Sequence, residues 1–224
     1  MKRAADPGVQ IHRLQAGEEG YPCDVTTFCG KETPTALGLI GPRWLLAKSP
    51  KLAMFCSVRC PGNLILRTYD LAQKLRHSAP MVVSGFHSPM EQECFTILLR
   101  GPQPMIYCPA RGLDRMQMRA DWRKPLAEGS LLILSSFSPS QRRPTAATAL
   151  RRNRMVVALA NGVFVAHAAP GTKTYRLCEL VLSWGKPLYT FDDPANSDLI
   201  SSGARPVAVT DCPDCFLSAA LPRT

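Results

Sequence analysis

Three short stretches of this chain combine glycine, hydroxyl and charged residues in the order that phosphate-binding loops require. The first, Cys56-Ser57-Val58-Arg59-Cys60-Pro61-Gly62, leaves an apolar run and enters a helix-patterned one. Gly62 permits close backbone approach, Ser57 offers a hydroxyl and Arg59 a cation, and the dipole of a following helix favours an anion. The second, Ser84-Gly85-Phe86-His87-Ser88-Pro89-Met90-Glu91, has the same strand-to-helix texture. Glu91 sits near its helix start, where an acid also caps the helix or complements its dipole. In the third, Ala169-Pro170-Gly171-Thr172-Lys173-Thr174, the hydroxyls, the backbone amides and Lys173 form a candidate anion nest. One such loop says little, because strand-to-helix turns need glycine for steric reasons. Three at equivalent places point to an anion at one edge of a sheet.

A fourth stretch, Arg151-Arg152-Asn153-Arg154, precedes the apolar residues 155–159 and reads as a helix start. Cations are unfavourable at the positive end of a helix, so Arg152 and Arg154 there imply a compensating anion, with Asn153 between them. Catalytic chemistry has less to work with. His87 and Cys94 lack an orienting third group, and His87 with Glu91 lacks a third ligand, so no catalytic residue, metal or cofactor is assigned. Cys212-Pro213-Asp214-Cys215 could join Cys23 and Cys29 around a zinc ion, but incidental thiols are the plainer reading. With five Tyr and three Trp, and Phe86 the one aromatic on a candidate loop, binding to a nucleic acid would lean on phosphates. Affinity would then fall steeply with salt and show little sequence preference.

The elements that must position these loops follow from hydrophobic patterning. Short apolar runs at 52–55, 81–83, 104–107, 131–134, 163–166 and 187–190 alternate with helix-patterned stretches, the signature of βαβ units. Leu64, Thr68, Leu71 and Leu75 share one helical face, as do Leu177, Val181 and Trp184, and Pro89 opens a helix running to about Leu99. Four-residue spacing of Arg111, Arg115, Arg119 and Arg123 suits a basic helical face. The expected fold is α/β: a single-domain, three-layer, Rossmann-like, mostly parallel sheet with helices on both faces. Residues 1–48, punctuated by Gly and Pro, read as an N-terminal arm with short helical turns, 49–205 as the domain, with a short helix near 196–202, and 206–224 as a C-terminal tail.

Composition bounds the rest. The 224 residues carry 27 Lys and Arg against 17 Asp and Glu, a net charge of +10 that favours anionic partners. At 46% hydrophobic the chain can order a core, which excludes wholesale disorder. No apolar run is long enough to span a bilayer and the N-terminus has no signal-peptide pattern, so no membrane partner and a cytoplasmic location are expected. Nine scattered cysteines, an odd number, argue against a disulfide scaffold.

The order of the loops resembles the DNA-processing protein A (DprA/Smf) family. Arg152-Asn153-Arg154 and the helix after it resemble the family's RNR motif, followed by residues 163–166, Gly171-Thr172, Gly185-Lys186-Pro187-Leu188, Asn196 and Gly203-Ala204. Ser84-Gly85 and Met90-Glu91 fall where the family's SGxARGID motif has its Ser-Gly and Ile-Asp pairs. The resemblance implies a Rossmann-like core that binds single-stranded DNA and helps load a recombinase during DNA uptake or recombination, with homodimerisation. The chain departs from the pattern at two cations: Cys56-Ser57-Val58 stands where the family has Gly-Ser-Arg, and Ser88 where it has arginine. Related lysine-decarboxylase-like phosphoribohydrolases share a PGGxGTxxE loop, onto which Pro170-Gly171-Thr172 falls, but Tyr175 replaces its acid. A nucleotide or nucleotide-sugar ligand in the same crevice is the alternative.

Overall fold

The six apolar runs form parallel strands because each is short, rich in aliphatic side chains and bounded by turn residues. The computed structural model describes residues 10–114 and 116–217. In chain order the main elements are β1 (His12–Gln15), α1 (Cys23–Cys29), β2 (Ala36–Ile40), β3 (Lys51–Phe55), α2 (Gly62–Leu75), β4 (Met81–Ser84), α3 (Pro89–Leu98) and β5 (Met105–Tyr107). They continue with α4 (Ala120–Ala127), β6 (Leu131–Ser135), α5 (Ala146–Leu159), β7 (Gly162–Val165), α6 (Lys173–Ser183), β8 (Leu188–Phe191), α7 (Ser197–Ser201), β9 (Arg205–Val207) and α8 (Asp214–Leu217).

One sheet runs in the order β1-β2-β6-β5-β4-β3-β7-β8-β9, parallel from β6 to β9. From β3 the chain moves outward through β4 and β5 to β6. Helix α5 then carries it back across the sheet to β7, on the other side of β3. The direction of winding therefore reverses between β3 and β7, the switch point at which doubly wound sheets open a crevice. Alternate residues of β3 and β7 face opposite layers. Ala53, Phe55, Val163 and Val165 pack with α1, α5 and α6, whereas Leu52, Met54 and Phe164 pack with α2, α3 and Trp122 of α4. The expected Rossmann-like sandwich is the fold observed.

Both chain ends depart from the sequence reading. The segment read as an arm supplies β1 and β2; β1 pairs antiparallel with β2, and β2 antiparallel with β6. Its glycines hid this. Gly38 lies inside β2, where a Cβ would sit at ordinary contact distance, 3.4 Å, from Leu113, so it is an ordinary strand residue and not a breaker. Residues 1–9 of that arm lie outside the described residues. The segment read as a tail adds β9 at the sheet edge, where Pro206 is tolerated. Beyond it, Phe216 sets its ring edge-on against Tyr189 at 5.0 Å and Phe164 at 6.1 Å.

The basic helical face expected from Arg111 to Arg123 is not formed. Residues 108–114 and 116–119 are irregular, held by Ser135 Oγ donating to the Arg111 carbonyl at 2.7 Å and by Gly112 N donating to Gln141 O at 2.8 Å. Helix α4 starts only at Ala120, and Arg115 lies outside the described residues. No described helix is long and apolar enough to cross a membrane.

Candidate nucleic-acid interface

At the C-terminal ends of β3, β4 and β7 the loops leave a crevice of about 470 Å³, roofed by the first turns of α5. Thr145 caps α5, its Oγ1 accepting from Thr148 N at 3.1 Å, and Thr148 Oγ1 accepts in return from Thr145 N at 2.8 Å. This reciprocal cap starts the helix at Ala146, five residues before the arginines. They therefore sit mid-helix, and the expectation that they crowd a positive helix end is corrected.

The three residues of that motif take three directions. Arg152 is buried, 3% exposed, with Nη1 donating to Cys108 O at 2.9 Å and Nε to Asn153 Oδ1 at 2.7 Å. Its guanidinium lies where a Cβ on Gly85 would stand, which is why that loop needs glycine. Asn153 lines the crevice. Arg154 turns along the same helical layer toward the end of α1 and pairs with Glu32 at 3.1 Å, away from the crevice lining.

Glu91 holds the β3 and β4 loops together. It is 4% exposed, and its carboxylate accepts from Cys56 N at 2.8 Å, His87 N at 2.6 Å and Ser88 N at 3.1 Å. Ser88 Oγ accepts from Glu91 N at 3.3 Å, completing a capping box at the start of α3. Burial pushes the Glu91 carboxyl above its usual range, opposed by the three amides and by the Arg152 charge. With both oxygens committed to amides, Glu91 organises the loops and is no free acid. Ser84 is likewise structural, its buried Oγ donating to Met54 O at 2.6 Å. Phe86, at φ 43°, stacks on Phe95 at 4.5 Å and is 4% exposed, so it offers no platform to a base.

The third loop is the most open. Gly171 adopts φ 77°, Thr172 caps α6 by accepting from Tyr175 N at 3.2 Å, and Lys173 and Thr174 line the crevice from the first turn of α6. The amides of a first helical turn have no acceptor within the helix. Exposed His87 lines the opposite wall. Ser57 donates its amide to His167 O at 3.0 Å, while its Oγ is buried without a partner. Arg59 and Gly62 are exposed and lie outside the crevice lining, where Val58 stands in their place. The lining also includes Thr145, Ala149 and Leu150, which were not anticipated. The Thr145-Ala146-Ala147-Thr148 spacing was the available signal for the helix that carries them.

The cysteines proposed as a zinc group are split across the sheet. Cys29 packs in one layer and Cys212 in the other, and no cluster of three or more possible ligands occurs among the described residues. Cys212 and Cys215 Sγ lie 3.2 Å apart.

The family model for DNA recombination-mediator protein A matches residues 12–212. The chain belongs to that family. Among solved structures, DNA processing protein A from Helicobacter pylori, studied for its single-stranded DNA binding mode, is 20% identical with a TM-score of 0.75, covering 94% of this chain and 97% of its own. DNA processing protein A from Streptococcus pneumoniae is 23% identical with a TM-score of 0.74, covering 89% of this chain and 71% of its own. A molybdenum cofactor binding protein from Rippkaea orientalis is 11% identical, with a TM-score of 0.55 over 78% of this chain and 99% of its own. At these identities the structures share the fold alone. No protein of curated function matches the sequence.

Proposed function

We propose that this member of the recombination-mediator family binds single-stranded DNA along the C-terminal edge of its sheet, backbone phosphates against the α6 N-terminus, and passes the strand to a recombinase. The observation that carries this reading is the crevice at the β3–β7 switch point with Lys173 and Thr174 opening onto it from the first turn of α6. A phosphate there meets free helical amides, a hydroxyl and an ammonium. Exposed Arg142 and Arg143 continue the positive surface past the rim residue Pro144. The family description and the Helicobacter relative favour DNA over other anions. Family resemblance extends the reading to a homodimer. Fluorescence anisotropy with a labelled oligonucleotide at two salt concentrations tests it: affinity falling steeply with salt is expected, and no binding at low salt overturns it.

A free nucleotide or nucleotide sugar is the second reading, favoured by the crevice volume of about 470 Å³, within the range of small-ligand sites. Thermal shifts separate the two, since a free nucleotide would stabilise the fold by mass action with no added benefit from strand length.

A further inference from the structure

We propose that Cys212 and Cys215 form a redox modification site, a dithiol that a small-molecule disulfide of the class of oxidised glutathione converts reversibly into an intramolecular disulfide. The two Sγ atoms lie 3.2 Å apart, already in contact. A bond between them needs a further approach of only about 1 Å. Phe216 N donates to Pro213 O at 3.0 Å and closes the turn that carries both thiols, and Cys212 N donates to Val209 O at 3.3 Å, tying that turn to the 3-10 turn Val209–Asp211 before it. A structural metal is the other use of a Cys-x-x-Cys pair, but it needs further ligands. Among the described residues no group of three or more possible ligands occurs.

The two thiols differ in access, and this sets the order of events. Cys212 is 3% exposed and its Sγ donates to the Ala208 carbonyl at 3.3 Å, whereas Cys215 is partly exposed. Cys215 therefore meets the reagent first. As the thiolate it attacks one sulfur of the small disulfide, and the other sulfur departs with the electron pair and takes up a proton. A mixed disulfide then stands on Cys215. Cys212, at contact distance, gives up its proton and attacks the Cys215 sulfur, expelling the second small thiol. The protein has lost two electrons and two protons, and one small disulfide has become two thiols. Excess small thiol runs the same steps backward.

The pair sits on the segment that closes the outer edge of the sheet. Phe216, beside Cys215, packs edge-on against Tyr189 and Phe164, and Lys74 of α2 donates Nζ to Val209 O at 2.6 Å. A bond between Cys212 and Cys215 removes chain freedom from every state in which Phe216 has left its place, so oxidation holds the segment on the sheet. Reduction releases that hold. Neither cysteine lines the crevice, so the switch acts apart from strand binding.

The test places the wild-type protein in reduced and oxidised glutathione at about pH 8, where an ordinary thiol is partly ionised. The remaining thiols are then capped with iodoacetamide and the peptides mapped by mass spectrometry. The expected product is a Cys212–Cys215 link, two hydrogens lighter than the dithiol, which excess dithiothreitol reverses. Hydrogen exchange at the amides of Cys215 and Phe216 should slow about tenfold on oxidation. Cys212→Ser should stop the reaction at the glutathione adduct of Cys215, and Cys215→Ser should leave Cys212 unmodified in the folded protein. A glutathione adduct that persists on Cys215 of the wild type overturns the proposal, as does capping of both thiols after the oxidising step. A link that forms without slowing exchange overturns the hold on the segment.

Discussion

The Arg152 guanidinium fills the space that a Cβ on Gly85 would occupy. From there it reaches the Cys108 carbonyl beyond β5, so one side chain of α5 ties the ends of β4 and β5 under the crevice roof. Gly85→Ala should force the guanidinium out and destabilise the fold by about 2–4 kcal/mol. Arg152→Ala should cost a similar amount, because the Cys108 carbonyl loses its donor and buried Glu91 loses a compensating charge. In the double variant the new methyl group has room, so urea unfolding should show a combined loss about 1–3 kcal/mol smaller than the two single losses together. Additive losses would show that the two residues do not share this space.

Glu91 joins two loops through three amides, so replacing one oxygen by an amide nitrogen sets donor against donor. Glu91→Gln should destabilise the protein by about 2 kcal/mol. Hydrogen exchange at the amides of Cys56, His87 and Ser88, which it holds at 2.6–3.1 Å, should accelerate ahead of the sheet. Unchanged protection at all three would mean that the carboxylate does not hold the loops.

The parallel core was legible because its strands are continuous aliphatic runs, which burial on both faces demands, and the helices between them carry one apolar face each. Strand β2 was not, since Gly38 within it and Pro34 and Gly41 beside it carry the same letters as a loop. The three candidate loops are strand-to-helix turns at one edge, as their glycines and flanking apolar runs predict, but residue type alone could not tell a ligand-facing group from a brace. Arg152, Ser84, Ser88 and Glu91 are polar residues spent on holding the edge together, and that assignment depends on what lies across from each of them in space. Arg154 shows the same limit differently: two residues from Arg152 on one helix, it points away from the crevice toward Glu32.

That divergence separates two cations that the sequence treats alike. Lys173→Ala should weaken oligonucleotide binding about three- to fivefold and lower the slope of log affinity against log salt by about 1, since one phosphate contact is lost. Arg154→Ala breaks only the pair with Glu32 and should leave both quantities unchanged. Parallel anisotropy titrations of the two variants decide it. A loss at Arg154 equal to that at Lys173 would extend the strand path from the crevice to the Arg154–Glu32 pair beside α1.

Lys186 caps the other end of α5, with Nζ donating to Ala158 O at 2.7 Å and Ala160 O at 2.6 Å and lying 4.2 Å from the Phe28 ring centroid. Burial brings its pKa down to about 8; Lys51 nearby adds to this, and Asp24 and Cys29 oppose it. Because the folded value lies below the unfolded one, the unfolded chain binds more protons between about pH 8 and 10, and stability from this group rises with pH across that window and is lost as pH falls back through 8. The stability difference between the wild type and Lys186→Met should therefore shift toward the wild type by about 1–2 kcal/mol from pH 8 to pH 10. Tyr21, held at about 12 by burial, titrates above the window in both proteins and cancels in the difference. Urea unfolding at three pH values measures the slope. A flat difference would mean that the ammonium holds the two carbonyls with its proton affinity unaltered.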